Sequence, residues 1–174
     1  MALISDNHYS STNQYSIIKS VITQSVHLPH NALGLVKPPH LSPGDRIACV
    51  SLSWGGPGAI PQRYEAGKRQ LESEFGVSLV PMPNALRPAE WIAKNPRARA
   101  DDLMAALSDR SMKGIISAIG GDDSIRLLPF IDRRIVAENP KPFLGYSDST
   151  VTHFIFLKAG GNRSRGVVNL QEFG

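Results

Sequence analysis

The chain has 174 residues, 41% of them hydrophobic, with 19 Lys and Arg against 15 Asp and Glu for a formal net charge of +4. This length suits one ordinary domain, able to bury about two-thirds of the surface its unfolded form exposes without a disulfide staple. Interspersed acids and bases argue against a nucleic-acid partner, and no apolar run approaches the roughly 18 to 20 residues of a membrane helix. The single cysteine, Cys49, excludes an intramolecular disulfide and implies a reducing compartment.

Residues 1–36 are rich in Ser, Asn, His and Gln, with Asp6 the single acid and Lys19 the single base, and read as a flexible leader or arm. Their acid-poor composition hints at an organelle transit peptide, but arginine is absent before Arg46, and a secretory signal would need a basic start and an uninterrupted apolar core. Lys37-Pro38-Pro39 enforces an extended entry, and Ser42-Pro43-Gly44-Asp45 turns the chain into a first strand, Arg46 to Leu52. Cys49 within it reads as inert packing. A loop, Ser53 to Gly58, precedes a helix from Pro61 to Phe75, with Gly76 as its stop. Val77 to Val80 reads as a second strand and Pro81 to Pro88 as a proline-punctuated loop. A helix from Pro96 to Asp109 buries Leu103, Met104, Ala106 and Leu107 and turns its charges to water. Gly114 to Ile119 is a third strand, Ser124 to about Ile131 a third helix, Pro142 to Leu144 a fourth strand, and Thr150 to Lys158 a fourth helix ended by Gly160-Gly161. In the polar, basic stretch that follows, only Gly166 to Leu170 could add a strand.

Strands alternating with helices at this spacing predict an α/β fold with a mainly parallel sheet flanked by helices. The five histidines are scattered without metal-ligand spacing, so no metal is expected. His153 falls inside the fourth helix pattern and is expected to pack. Asp148 is expected to cap that helix.

The segment Ile115 to Leu128 is the most informative: a β-branched run, then Gly120-Gly121-Asp122-Asp123-Ser124, then a helix-like pattern. A buried strand turning sharply into a helix leaves Ser124 exposed at the strand's carboxyl end beside free backbone amides. Three readings stay open on these residues. Asp122 or Asp123 caps a helix. Alternatively Ser124 is a nucleophile, with helix-terminal amides stabilising an oxyanion and Gly120 and Gly121 admitting a substrate; the hydrolase pattern Gly-x-Ser-x-Gly is not met, since Asp122 and Arg126 occupy its glycine positions. Finally, the turn is similar to the Gly-Gly-Asp-Gly phosphate-binding turn of NAD kinases, lipid kinases and phosphofructokinases, although Asp123 replaces a glycine and would repel a polyphosphate unless a metal intervened. Arg126 could pair with Asp122 or Asp123, or meet a substrate carboxylate bidentately.

The neighbouring motifs discriminate further. Lys37-Pro38-Pro39, Pro43-Gly44-Asp45, Arg99-Ala100-Asp101-Asp102-Leu103-Met104, Ile119 to Ser124 with Arg126-Leu127-Leu128-Pro129, and Gly145-Tyr146-Ser147-Asp148-Ser149-Thr150 occur in one order. This series resembles the LD-carboxypeptidase family, serine peptidases of the S66 type, and is most similar to its microcin C7 self-immunity branch. The resemblance covers residues 37–160 and implies the flavodoxin-like, nucleophile-bearing N-terminal domain of a two-domain, cytoplasmic, cofactor-free and often homodimeric hydrolase with a Ser-Glu-His triad. It places Ser124 at the nucleophile position; from the residues themselves, Gly120 and Gly121 are the candidate oxyanion turn, and Asp122, Asp123, Arg126, Ser147, Asp148 and Ser149 are candidates for substrate contact or structure. Family substrates are small peptides or peptidyl-nucleotides: murein L,D-tetrapeptides, or the acyl-sulfamate adenylate of processed microcin C.

The family's glutamate and histidine lie in its C-terminal domain, and His153, Glu138 and Glu172 match neither position. The tail at 161–174 is atypical: members continue into an apolar strand where this chain has Gly161-Asn162-Arg163-Ser164-Arg165, which reads as an early end, a mispredicted exon boundary or a frameshift. The expectation is therefore a carboxypeptidase-like domain, inactive without its triad partners. The alternatives are a non-catalytic ligand-binding domain and, disfavoured by the Gly145 to Thr150 motif, a phosphotransferase.

Overall fold

A computed structural model of the protein describes residues 38–159. The leader and the tail, with the candidate strand Gly166 to Leu170, lie outside the described residues. Four strands, β1 (Arg46–Val50), β2 (Ser78–Pro81), β3 (Met112–Ser117) and β4 (Phe143–Leu144), form one sheet of order β2-β1-β3-β4 with every pairing parallel. The expected α/β class, a parallel sheet flanked by helices, is the observed one. Among the described residues, no helix is long and apolar enough to cross a membrane.

Strand alternation divides the apolar residues between the two faces. Ala48, Val50, Ile115 and Phe143 pack against Leu103 and Leu107 of α4 (Pro96–Ser108), Leu127, Val136 of α5 (Arg133–Glu138), and Ile155 and Phe156 of α6 (Thr150–Ala159). On the opposite face Ile47, Cys49, Val77 and Leu79 meet Tyr64 and Leu71 of α2 (Pro61–Phe75). Helix α2 begins on proline and ends where Gly76 adopts φ 65°, as its sequence predicts.

Local structure departs from expectation in several places, α5 among them, since no element was expected between Ile131 and Pro142. The expected loop after β1 contains a single helical turn, α1 (Gly56–Ala59), and a short helix, α3 (Ala89–Lys94), precedes α4. The third helix is a 3₁₀ helix over Ser124–Phe130. Pro129 lies inside it and lacks the N–H that would continue a longer helix, and Asp132 then caps α5 by accepting from the Arg134 and Ile135 amides. Nor do all the charges of α4 face water: Arg99 and Asp102 are buried. Asp102 accepts from the Asn84 amide and side chain at 3.0 and 2.9 Å, which fixes the proline-punctuated loop.

Candidate functional site

The chain leaves β1 for β2 on one side and returns to β3 on the other, so the carboxyl ends of β1 and β3 flank a topological switch point. Ser53 and Trp54 follow β1, and Gly120 to Ser124 follow β3. The Trp54 amide donates to the Gly120 carbonyl at 3.2 Å and ties the two loops together. The Gly145 to Ser149 segment after β4 closes the third side.

Ser124 sits where the strand-to-helix turn was expected to put it, but it is not exposed. Its fractional exposure is 1%, its Oγ donates to the Asp148 carbonyl at 2.8 Å, and its amide donates to Asp148 Oδ2 at 2.8 Å. Ser53 Oγ donates to the same Oδ2 at 2.6 Å. Burial opposes the charged form of Asp148, but hydrogen bonds from the Ser53 hydroxyl and the Ser124 amide, with the Asp123 amide adding to them, outweigh it and hold the carboxyl below its ordinary value. Asp148, expected to cap the fourth helix, instead caps the start of the Ser124 3₁₀ helix from across the sheet.

The capping reading of Asp123 is also corrected. Its carboxylate makes no cap hydrogen bond and forms a bidentate pair with Arg99, at 2.7 Å from Nη1 and 3.1 Å from Nη2. Arg126 Nη1 reaches the same carboxylate at 3.2 Å and the Ala93 carbonyl at 3.0 Å, so of the partners weighed for Arg126 the structure shows Asp123. Arg99 Nη1 also lies 3.0 and 3.1 Å from the Leu52 and Ser53 carbonyls, while Arg99 Nε is buried without a partner. One guanidinium thus fixes the end of β1 to the Gly-Gly turn. Asp122 is exposed.

Close approach of protein to protein accounts for both turn glycines. A Cβ on Gly121, whose φ is 158°, would lie 2.1 Å from Ser53 Oγ, and one on Gly120 would lie 2.7 Å from Ser147 Cβ. Ser147, exposed, adopts φ 55°, an uncommon left-handed backbone for a serine. Ser149 is buried and donates from Oγ to Ser117 Oγ at 2.9 Å. His153 packs as expected, edge-on to Phe143, with Nε2 2.8 Å from the Gly145 carbonyl and Nδ1 buried without a partner. Among the described residues, no three His, Cys, Asp or Glu side chains gather as metal ligands would.

The structure therefore brings Gly120, Gly121, Asp123, Ser124, Ser147, Asp148 and Ser149 together at the carboxyl edge of the sheet. It also recruits three residues absent from the sequence-derived site. Arg99 could be found only as part of a motif, because its partner Asp123 is 24 positions away; Ser53 and Ser117 carry no signal before the strands are paired.

The model of the LD-carboxypeptidase N-terminal domain matches residues 47–164, more than half the chain. The chain belongs to the LD-carboxypeptidase family. A Vibrio cholerae protein described as a putative carboxypeptidase is 33% identical over 110 residues, which is 63% of this chain and 33% of that protein. The microcin C7 self-immunity protein MccF of Escherichia coli is 30% identical over 135 residues, covering 77% of this chain and 39% of MccF. Among solved structures, an MccF-like protein from Streptococcus pneumoniae in complex with AMP is 36% identical with a TM-score of 0.61, covering 67% of this chain and 35% of that one. The chain thus spans about a third to two-fifths of the length of these two relatives.

Proposed function

We propose that this LD-carboxypeptidase family domain presents Ser124 as the nucleophile of a serine-type hydrolase acting on amide bonds next to a free carboxylate. The observation that carries the reading is Ser124's position: at the carboxyl edge of β3, on the Gly-Gly turn, beside the switch point, with rotamer and amide both fixed by Asp148. In the reaction the Ser124 hydroxyl leaves the Asp148 carbonyl, gives its proton to a general base and attacks the substrate carbonyl. The Gly120 and Gly121 backbone, in the same turn, supplies donors to the oxyanion.

His153 is held by the Gly145 carbonyl, so the base and its orienting acid come from residues beyond those described. Substrates of the two classes known for the family, L,D-tetrapeptides and acyl-sulfamate adenylates, are the ones this reading assigns. The phosphotransferase reading loses support, because the amides at the start of the 3₁₀ helix that would meet a phosphate already meet the Asp148 carboxylate.

The test is a chimaera in which residues 38–159 replace the matching segment of MccF, assayed by mass spectrometry for cleavage of an aspartyl acyl-sulfamate adenylate. Turnover is expected, with loss of several orders of magnitude on Ser124→Ala, as for removal of a nucleophile. Equal turnover by the Ser124→Ala chimaera would refute the assignment. The 174-residue chain alone is expected to give no turnover of either substrate class.

A further inference from the structure

A cleft of about 520 Å³ lies on the α2 face of the sheet, between α2 and the carboxyl ends of β1 and β3. Its volume falls in the range of small-ligand pockets, about 300 to 1,000 Å³. Cys49 lies along it, buried, with a thiol that burial pushes up to about 12 and so keeps neutral. Trp54, 40% exposed, supplies an aromatic wall.

Two features of α2 are costly or idle unless something occupies this cleft. Gly67 stands in the middle of a 15-residue helix, where glycine is unfavourable relative to alanine, yet a Cβ there would meet no atom within 4 Å. Packing does not demand this glycine; its effect is to keep the cleft wall low. One turn earlier, the Tyr64 ring lines the cleft. Arg63 and Lys68, also on the cleft wall, form no ion pair among the described residues.

We propose that this cleft is a binding site for a small aromatic carboxylate, separate from the Ser124 turn. The ring lies against Trp54 and over Gly67, and the carboxylate accepts from Arg63 and Lys68. An offset-stacked or edge-to-face arrangement with Trp54 favours an aromatic over an aliphatic body. The neutral Cys49 and the apolar sheet face set no further charge requirement. The site does not depend on the function assigned to Ser124.

The experiment is isothermal titration of the full 174-residue chain with 1-naphthylacetate and with the neutral 2-(1-naphthyl)ethanol. Saturable one-to-one binding of the carboxylate is expected, about tenfold tighter than the alcohol, as a charge-assisted hydrogen bond implies. Gly67→Leu fills the cleft from a position with open space around its Cβ, so it should abolish binding while the far-ultraviolet circular dichroism holds and the melting temperature does not fall. Arg63→Ala/Lys68→Ala, on a solvent-facing helix, should bring the carboxylate down to the alcohol's affinity, and Ser124→Ala should change nothing. No saturable binding by the wild-type chain, equal affinity for acid and alcohol, or undiminished binding by folded Gly67→Leu would each overturn the proposal.

Discussion

Replacing Arg99 tests most directly how the Ser124 turn is held. The Arg99 side chain is fully buried, and its guanidinium meets the Asp123 carboxylate and the carbonyls of Leu52 and Ser53. Arg99→Met keeps much of the apolar stem but leaves a largely buried carboxylate and two carbonyls without their partner. Breaking such a pair from one side costs about 3–5 kcal/mol. Arg126 approaches the same carboxylate but its side chain is 51% exposed, and a solvent-screened pair of that kind is worth roughly 0.2–1 kcal/mol. The residual Arg126 contact places Arg99→Met near the lower end of its range, about 3 kcal/mol, or roughly 10 °C of melting temperature for a domain of this size. Adding Asp123→Asn removes the orphaned charge and should restore about 1–2 kcal/mol, within the coupling energies seen for residues in direct contact. Urea unfolding of the 174-residue chain, followed by far-ultraviolet circular dichroism, reads all four corners of the cycle. If Arg99→Met lost no more stability than Arg126→Ala, or if Asp123→Asn gave nothing back, burial would not be what makes this pair matter.

The two glycines Gly121 and Gly67 should respond oppositely to alanine. Gly121→Ala drives a Cβ into Ser53 Oγ and should destabilise by about 1–3 kcal/mol through overpacking, whereas Gly67→Ala should stabilise by roughly 1 kcal/mol of helix propensity; denaturant midpoints decide both. Asp148 has a folded-state pKa below its unfolded value, so its contribution to stability is present above the ordinary carboxylate range and is lost as pH falls through the lower folded value. Thermal melts from pH 6 to pH 2 should show a shallower acid limb for Asp148→Asn than for the wild type, and identical slopes would contradict the assigned hydrogen bonds. Ser124→Ala removes the hydroxyl's bond to the Asp148 carbonyl and should cost about 1 kcal/mol in urea unfolding, independently of any activity.

The strands and long helices were legible because each is a local matter. Ile47, Cys49 and Leu79 on one face and Ala48 and Val50 on the other follow the two-residue period of a strand, and Pro61 and Gly76 bound α2 through their own backbone preferences. The short helices α1, α3 and α5 and the 3₁₀ character of Ser124–Phe130 were not legible. Too few residues set a period there, and Pro129 cuts off the pattern that would have announced an α-helix.

The sequence by itself determined the family, the class of fold and the place of Ser124 on its turn, since an ordered series of short motifs and a run of strand and helix periods survive without coordinates. Tertiary structure alone decided what that turn is made of. Arg99 reaches Asp123 across 24 positions, and Asp148 reaches Ser124 across 24 and Ser53 across 95. Parallel strands bring their carboxyl ends together only when the sheet closes, so a carboxylate that reads as the cap of its own helix becomes the one that holds a serine on another.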